Sequence, residues 1–152
     1  FALDTPAGPV DQAFSPMAVT VRLADDLDIS RGDMLCRPNN RPIATQDLDT
    51  TICWMDESSE LRPGQKLAIK HTTRWARAMV VDLMYRLDIN TLHRDSGASA
   101  LGLNEIGRVR LRCTRPLFVD DYRRNRVTGS FMLVDEATNA TVAAGMVRGA
   151  GG

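Results

Sequence analysis

A chain of 152 residues, 43% hydrophobic and 25% charged, can hold one ordinary domain or two small ones, and its composition does not suit disorder. Lys plus Arg and Asp plus Glu stand at 19 each, a formal net charge of zero, which argues against a nonspecific grip on nucleic acid because that needs a basic face. No run approaches the roughly 20 apolar residues of a membrane-spanning helix, and the start at Phe1 without a methionine or signal peptide reads as a piece cut from a longer protein.

In chain order, Phe1 to about Cys36 reads as one or two strands with connections. Ala18 to Leu23 alternates, with Val19, Val21 and Leu23 on one face and Thr20 and Arg22 on the other. Asp28, Ser30, Gly32 and Asp33 then form a polar turn, and Met34 to Cys36 can re-enter the sheet. Arg37 to Asp49 carries two prolines and two asparagines without apolar periodicity and reads as an interdomain connection.

Strand-like runs follow at Thr50 to Met55 and Gln65 to His71, separated by a turn with Pro63 and Gly64 at the central positions of type II. Arg74 to Leu87 is ambiguous: Trp75, Met79, Val80, Leu83, Met84 and Leu87 match helical spacing, and the composition favours helix. Ser96 to Leu103 reads as a weakly patterned surface loop or short helix. From Leu101 to Arg148, three short apolar runs (Arg108 to Cys113, Gly129 to Val134, Thr141 to Val147) alternate with turn formers such as Pro116, Asn125, Asp135 and Asn139, an antiparallel all-β pattern. The GAGG tail looks like a linker.

The same region carries a resemblance. NEIG (from Asn104), RPL (from Arg115), DxYRxNRVTGSFMLVD (from Asp120) and TNATVAAGMV (from Thr138) resemble the final β-barrel of the GTPase subunit, the large subunit or subunit 1, of bacterial sulfate adenylyltransferase, a relative of elongation factor Tu. Val19 to Leu35 resembles the end of the barrel before it, so the likeness runs from about Asp11 to Arg148. The resemblance implies an all-β fold of the elongation factor Tu domain 2 and domain 3 type. Residues 1–46 would be the end of a second barrel plus linker, 47–148 a complete third barrel, and 149–152 a tail. It also implies a strand at Arg74 to Leu87. Strand starts near Thr50, Lys66, Ala76, Arg108, Gly129 and Thr141 then give about six strands, enough to close a small barrel.

For the parent, the resemblance implies synthesis of adenosine 5′-phosphosulfate from ATP and sulfate on a catalytic small subunit, driven by GTP hydrolysis on the large one, in sulfate assimilation. GTP and magnesium would sit in an upstream GTPase domain, and the partners would be that domain and the small subunit. Some relatives carry a fused adenylylsulfate kinase after the last barrel. A translation-factor-like barrel that contacts RNA and a free-standing β-barrel interaction module are the alternatives.

No GxxxxGK[ST] phosphate loop occurs, so this piece is expected neither to bind nor to hydrolyse GTP, and no catalytic, cofactor or metal residue is assigned. His71 and His93 lack ligand spacing, and Cys36, Cys53 and Cys113 are scattered thiols suited to a reducing cytoplasm. Asp25/Asp26 and Asp120/Asp121 read as solvated turn pairs, and Trp54 and Trp75 as barrel-packing residues. The candidate interface is Arg115, Asp121, Tyr122, Arg123, Arg124, Asn125 and Arg126, because arginine and tyrosine are typical anchors; an internal salt-bridge network is the competing account of the same cluster.

Overall fold

A computed structural model describes residues 2–150, which form two compact units, up to Ser30 and from Arg31 onward. The first holds β1 (Ala2–Thr5), β2 (Gly8–Val10) and β3 (Thr20–Arg22), an antiparallel sheet in the order β2-β1-β3. Thr5 Oγ1 donates to the Gly8 carbonyl at 2.8 Å in the β1–β2 turn, and Arg22 pairs with Asp4 across β3 and β1 at 2.7 Å. None of the described residues of this unit is buried. Its three strands exceed the one or two expected, because the β1–β2 hairpin lies in a stretch with little alternation. Met34 to Cys36 do not re-enter a sheet.

The second unit is a barrel of β4 (Ile43–Trp54), β5 (Lys66–His71), β6 (Arg74–Leu87), β8 (Ile106–Val119), β9 (Ser130–Val134) and β10 (Thr141–Ala150), with the two-residue β7 (Arg94–Asp95) beside β6. The order β5-β9-β10-β4-β8-β6 closes through a β5–β6 pairing, and every pairing is antiparallel. Closure leaves these six strands without an unpaired edge. The all-β barrel is therefore as expected, with six strands around it.

Period-two alternation fills the interior. Leu48, Thr50, Ile52 and Trp54 point inward from β4, Leu67, Ile69 and His71 from β5, Val109, Leu111 and Cys113 from β8, and Phe131 and Leu133 from β9. Two leucines from loops, Leu61 and Leu101, complete the core at one end. They exchange backbone hydrogen bonds at 2.9 and 3.0 Å. Of the two readings of Ser96 to Leu103, surface loop or short helix, the structure has the loop, with Leu101 buried in the core.

Arg74 to Leu87 is a strand, and its helical look has a local cause. Register shifts lie between Val80 and Asp82 and between Leu83 and Tyr85. Each inserts an extra residue, so inward-facing Val80 and Leu83 end up three apart instead of two. A second correction concerns Arg37 to Asp49: β4 begins at Ile43, so the connection is shorter than its composition indicated. Ile43 to Thr45 pair with Val119 to Leu117, beyond a bulge opposite which β8 carries Pro116, a residue with no N–H to give. At the β4–β5 loop, Gly64 has φ of +86° and Gln65 N–H donates to the Arg62 carbonyl at 3.3 Å, as a type II turn requires.

Candidate docking site

Antiparallel connectivity sorts the loops by barrel end. The β4–β5, β6–β8 and β9–β10 loops gather at the end where Leu61, Leu101 and Trp54 lie. The β5–β6 turn, the β8–β9 loop and the start of β4 gather at the other. The β8–β9 loop, residues 120–129, contains all but one of the candidate interface residues.

This loop is built by hydrogen bonds rather than by apolar packing. Asp121 Oδ1 accepts the Arg123 N–H at 2.7 Å, Asn125 Oδ1 accepts the Val127 N–H at 3.0 Å, and Asp120 accepts the Thr128 hydroxyl at 2.7 Å. Its ends are tied to β10, where Tyr122 N–H donates to the Val147 carbonyl at 2.9 Å and Val147 N–H to the Gly129 carbonyl at 2.8 Å. Arg124 reaches Asn40 at 2.7 Å and lies 3.9 Å from Asp120. The Arg126 guanidinium sits 6.0 Å from the Tyr122 ring centroid, at the limit of a cation–π contact.

The structure thus brings Asp121, Tyr122, Arg123, Arg124, Asn125 and Arg126 onto one loop. Arg115 stands apart in the bulged stretch of β8, exposed, with no hydrogen bond or ion pair to the others among the described residues. The internal-network account covers only part of the cluster. Asp120, Asp121, Arg124 and Asn125 are engaged in holding the loop, whereas the side chains of Arg123 and Arg126 pair with no carboxylate among the described residues.

Beside the loop lies an open depression of about 790 Å³ on the outer wall of β5, β9 and β10. Tyr122, Arg126 and Val127 supply its loop side; Lys70, Met132 and Met146 supply its strand side. Sequence reading missed the last three, although Met132 and Met146 sit at outward positions of alternating strands, where an apolar residue serves no core. Trp75 also faces out, half exposed, with the Lys70 ammonium 5.5 Å from its ring; only Trp54 packs the barrel.

The loop is fastened from within by His71. Its Nε2 is 2.8 Å from the Thr128 carbonyl, which can only accept, so Nε2 carries the proton. Burial lowers the His71 pKa, the Thr128 carbonyl opposes that by stabilising the protonated ring, and the Arg74 charge lowers it further. In the unfolded chain the imidazole titrates near 6.5. As pH falls through that value the unfolded chain takes up a proton that the folded chain refuses, so the stability present above it is lost towards the lower folded pKa. The slope is at most about 1.4 kcal/mol per pH unit for one proton. Urea midpoints measured from pH 7 to 5 are expected to decline in the native chain and to lie flatter in His71→Gln, whose amide donates without titrating; an equal decline in both would refute it.

The other reactive groups are inert or solvated. Burial pushes the Cys113 thiol up to about 12, helped by the Asp47 charge, so it stays protonated. Cys36 is exposed and Cys53 half-buried, and all three are free. No group of three or more His, Cys, Asp or Glu residues suited to a metal ion occurs among the described residues.

A family model described as GTP-eEF1A C-terminal domain-like matches residues 47–148. The chain is 60% identical over 146 residues to the bifunctional enzyme CysN/CysC of Mycobacterium tuberculosis, an alignment covering 96% of the chain and 24% of that protein. It is 41% identical over 140 residues to sulfate adenylyltransferase subunit 1 of Bacteroides fragilis, covering 92% of the chain and 29% of that protein. It therefore spans about a quarter of the length of the curated relatives it matches. In fold it is similar to the crystal structure of Sup35 complexed with GDP, with a TM-score of 0.84 at 21% identity, over 99% of this chain and 37% of that one.

Proposed function

The chain belongs to the GTP-eEF1A C-terminal domain-like family, and on that premise we propose that it is the non-catalytic β-barrel portion of the GTP-hydrolysing subunit of a sulfate adenylyltransferase. The observation that supports this reading most is the high identity to CysN/CysC across nearly the whole chain, well above the identity to Sup35, which shares the fold alone. Residues 1–46 are then the end of a second barrel domain and its linker, and 47–148 the third. GTP and magnesium belong to a GTPase domain elsewhere in the parent, and this portion itself carries no catalytic residue. The parent works in the cytoplasm, where three free thiols persist.

In this role the barrel couples nucleotide-driven movement to the catalytic small subunit, which makes adenosine 5′-phosphosulfate and pyrophosphate from ATP and sulfate. A closed barrel suits the task, because a rigid body transmits displacement without absorbing it. Coupling further requires contacts that differ between the GTP and GDP states. The docking residues are Arg115, Asp121, Tyr122, Arg123, Arg124, Asn125 and Arg126, of which Tyr122 and Arg126 project towards the depression. Arginine and tyrosine combine apolar area with directed hydrogen bonds, the composition of interface anchors.

The purified catalytic small subunit is expected to be retained by the immobilised chain. A Tyr122→Ala/Arg126→Ala double variant is expected to lower affinity at least tenfold while keeping the native circular dichroism and urea midpoint. Retention of the small subunit by neither protein would refute the partner, and equal retention by both would refute these two anchors.

A further inference from the structure

The outer wall of the barrel is divided by charge. Across β4, β8 and β6 the arginines other than Arg115 have carboxylate partners, among them Arg108 with Asp49 at 2.9 Å, Arg110 with Asp82 at 3.0 Å, Arg112 with Asp47 at 3.2 Å, and Arg86 with both Asp95 and Glu105 at 3.0 and 2.8 Å. Such a neutralised, hydrated ladder offers a partner little. Around β5, β9 and β10 the pattern is reversed. Lys70, Arg123 and Arg126 have no carboxylate partner among the described residues, Arg148 reaches Thr51 Oγ1 at 3.5 Å and feels the Asp49 charge, and the one carboxylate lining the two depressions there, that of Asp121, accepts the Arg123 N–H.

Between these cations the wall is apolar. Met132, Met146 and Val127 are exposed by 41%, 38% and 73%. Small residues at Ser130, Ala144 and Gly145 keep the floor low between them. Tyr122 and Met146 form a ridge shared with a second depression of about 470 Å³, which Arg123 and Arg148 flank. Exposed methionine is a costly choice for a solvated strand and a good one for a contact surface, since its flexible, polarisable chain adapts to an apolar guest. Unneutralised guanidinium groups at the rim favour carboxylates by charge and by fork geometry.

We propose that this face docks an acidic protein segment, seating one long aliphatic or aromatic side chain over Met132 and Met146 while flanking carboxylates engage Lys70 and Arg126. The proposal rests on the docking reading given above and names the chemistry of what docks. Unpaired cations alone would also suit phosphates; the methionine floor between them favours the mixed apolar and acidic guest.

Twelve-residue peptides with a central phenylalanine among glutamates serve as the probe, titrated into the isotope-labelled chain and followed by amide chemical shifts. The expected result is shifts confined to β5, β9, β10 and the β8–β9 loop. Binding should weaken at least tenfold when the phenylalanine becomes alanine, when the glutamates become lysines, and in a Lys70→Glu/Met132→Ser variant of unchanged circular dichroism. No shifts at this face, equal binding of the lysine peptide, or stronger binding of a single-stranded oligonucleotide to the same residues would overturn it. The purified small subunit forms a separate arm. If it binds the native chain and the Lys70→Glu/Met132→Ser variant alike, the inference falls while the partner stands. If the peptide binds at the groove and the small subunit does not bind, the inference stands and the partner falls.

Discussion

Trp54→Ala is expected to destabilise the barrel by about 4 kcal/mol, within the range for emptying a large aromatic site in a core. Trp54 is fully buried at the C-terminal end of β4, and three interactions converge on it. Its N–H donates to the Glu105 carbonyl at 3.0 Å, its carbonyl accepts from Asn104 N–H at 2.8 Å, and its indole Nε1–H donates to the Ser59 carbonyl at 2.7 Å. The backbone bonds survive the substitution. The indole bond does not, so the loss combines a cavity with a carbonyl left without its donor. Against a typical total stability of about 5–15 kcal/mol, this removes from about a quarter to most of it. Trp75→Ala is the internal control: half exposed over Lys70, it should cost below about 1 kcal/mol. Chemical denaturation of both variants decides the matter, and similar midpoints would show that Trp54 does not plug this end of the barrel.

The two tryptophans also show what a sequence can reveal. Both sit in apolar, alternating surroundings and read alike as packing residues, yet only one faces inward. On a strand a residue's face depends on register, and register depends on bulges that no local pattern announces. The same physics made Arg74 to Leu87 look helical, since extra residues near Val80 and Leu83 turned a period of two into a spacing of three. It also hid the start of β4, where Ile43 and Ala44 are exposed and pair beyond a bulge, so Ile43 to Asp47 lacked the alternation that marks Leu48 to Trp54. What was legible was the turn chemistry between the strands, because Pro63-Gly64 and the Asp, Asn and Gly of the later turns act through their own backbone preferences, whereas the count of six strands depended on the family resemblance, which implied a strand at Arg74 to Leu87.

For the candidate site, the loop was legible and the groove beside it was not. Asp120 to Arg126 are contiguous, so their proximity follows from the sequence itself. Lys70, Met132 and Met146 come from three strands and meet only because β5, β9 and β10 are neighbours in a closed barrel. Lys70 pairs directly with Met132, and Met132 with Ala144, which places a cation, a thioether and a small residue in one row around the wall. That row is a product of topology, and topology is the level that single-sequence periodicity reaches least well.

Gly129→Ala is expected to displace the whole β8–β9 loop and weaken the proposed binding of the small subunit at least tenfold, in contrast to Trp54→Ala, which acts at the opposite end of the barrel. Gly129 is not at a positive φ, so the reason is space rather than backbone preference. A methyl group there would lie 2.5 Å from Tyr122 Cα, 2.7 Å from Tyr122 N and 2.6 Å from the Asn125 carbonyl oxygen. All three are backbone atoms and cannot rotate away, so residues 122–125 must move as a body. That movement breaks the Gly129 N–H bond to the Asn125 carbonyl and strains the Tyr122 bond to Val147. Overpacking of this kind costs about 1–3 kcal/mol, small enough for the barrel to remain folded around its untouched core. The expected signature is therefore a split: a native circular dichroism spectrum with a modestly lowered urea midpoint, but amide exchange faster throughout residues 120–129 and small-subunit affinity reduced at least tenfold. A variant that keeps full affinity with a mobile loop would show that docking does not depend on the order of Tyr122 and Arg126, and would move the contact to the strands of the groove.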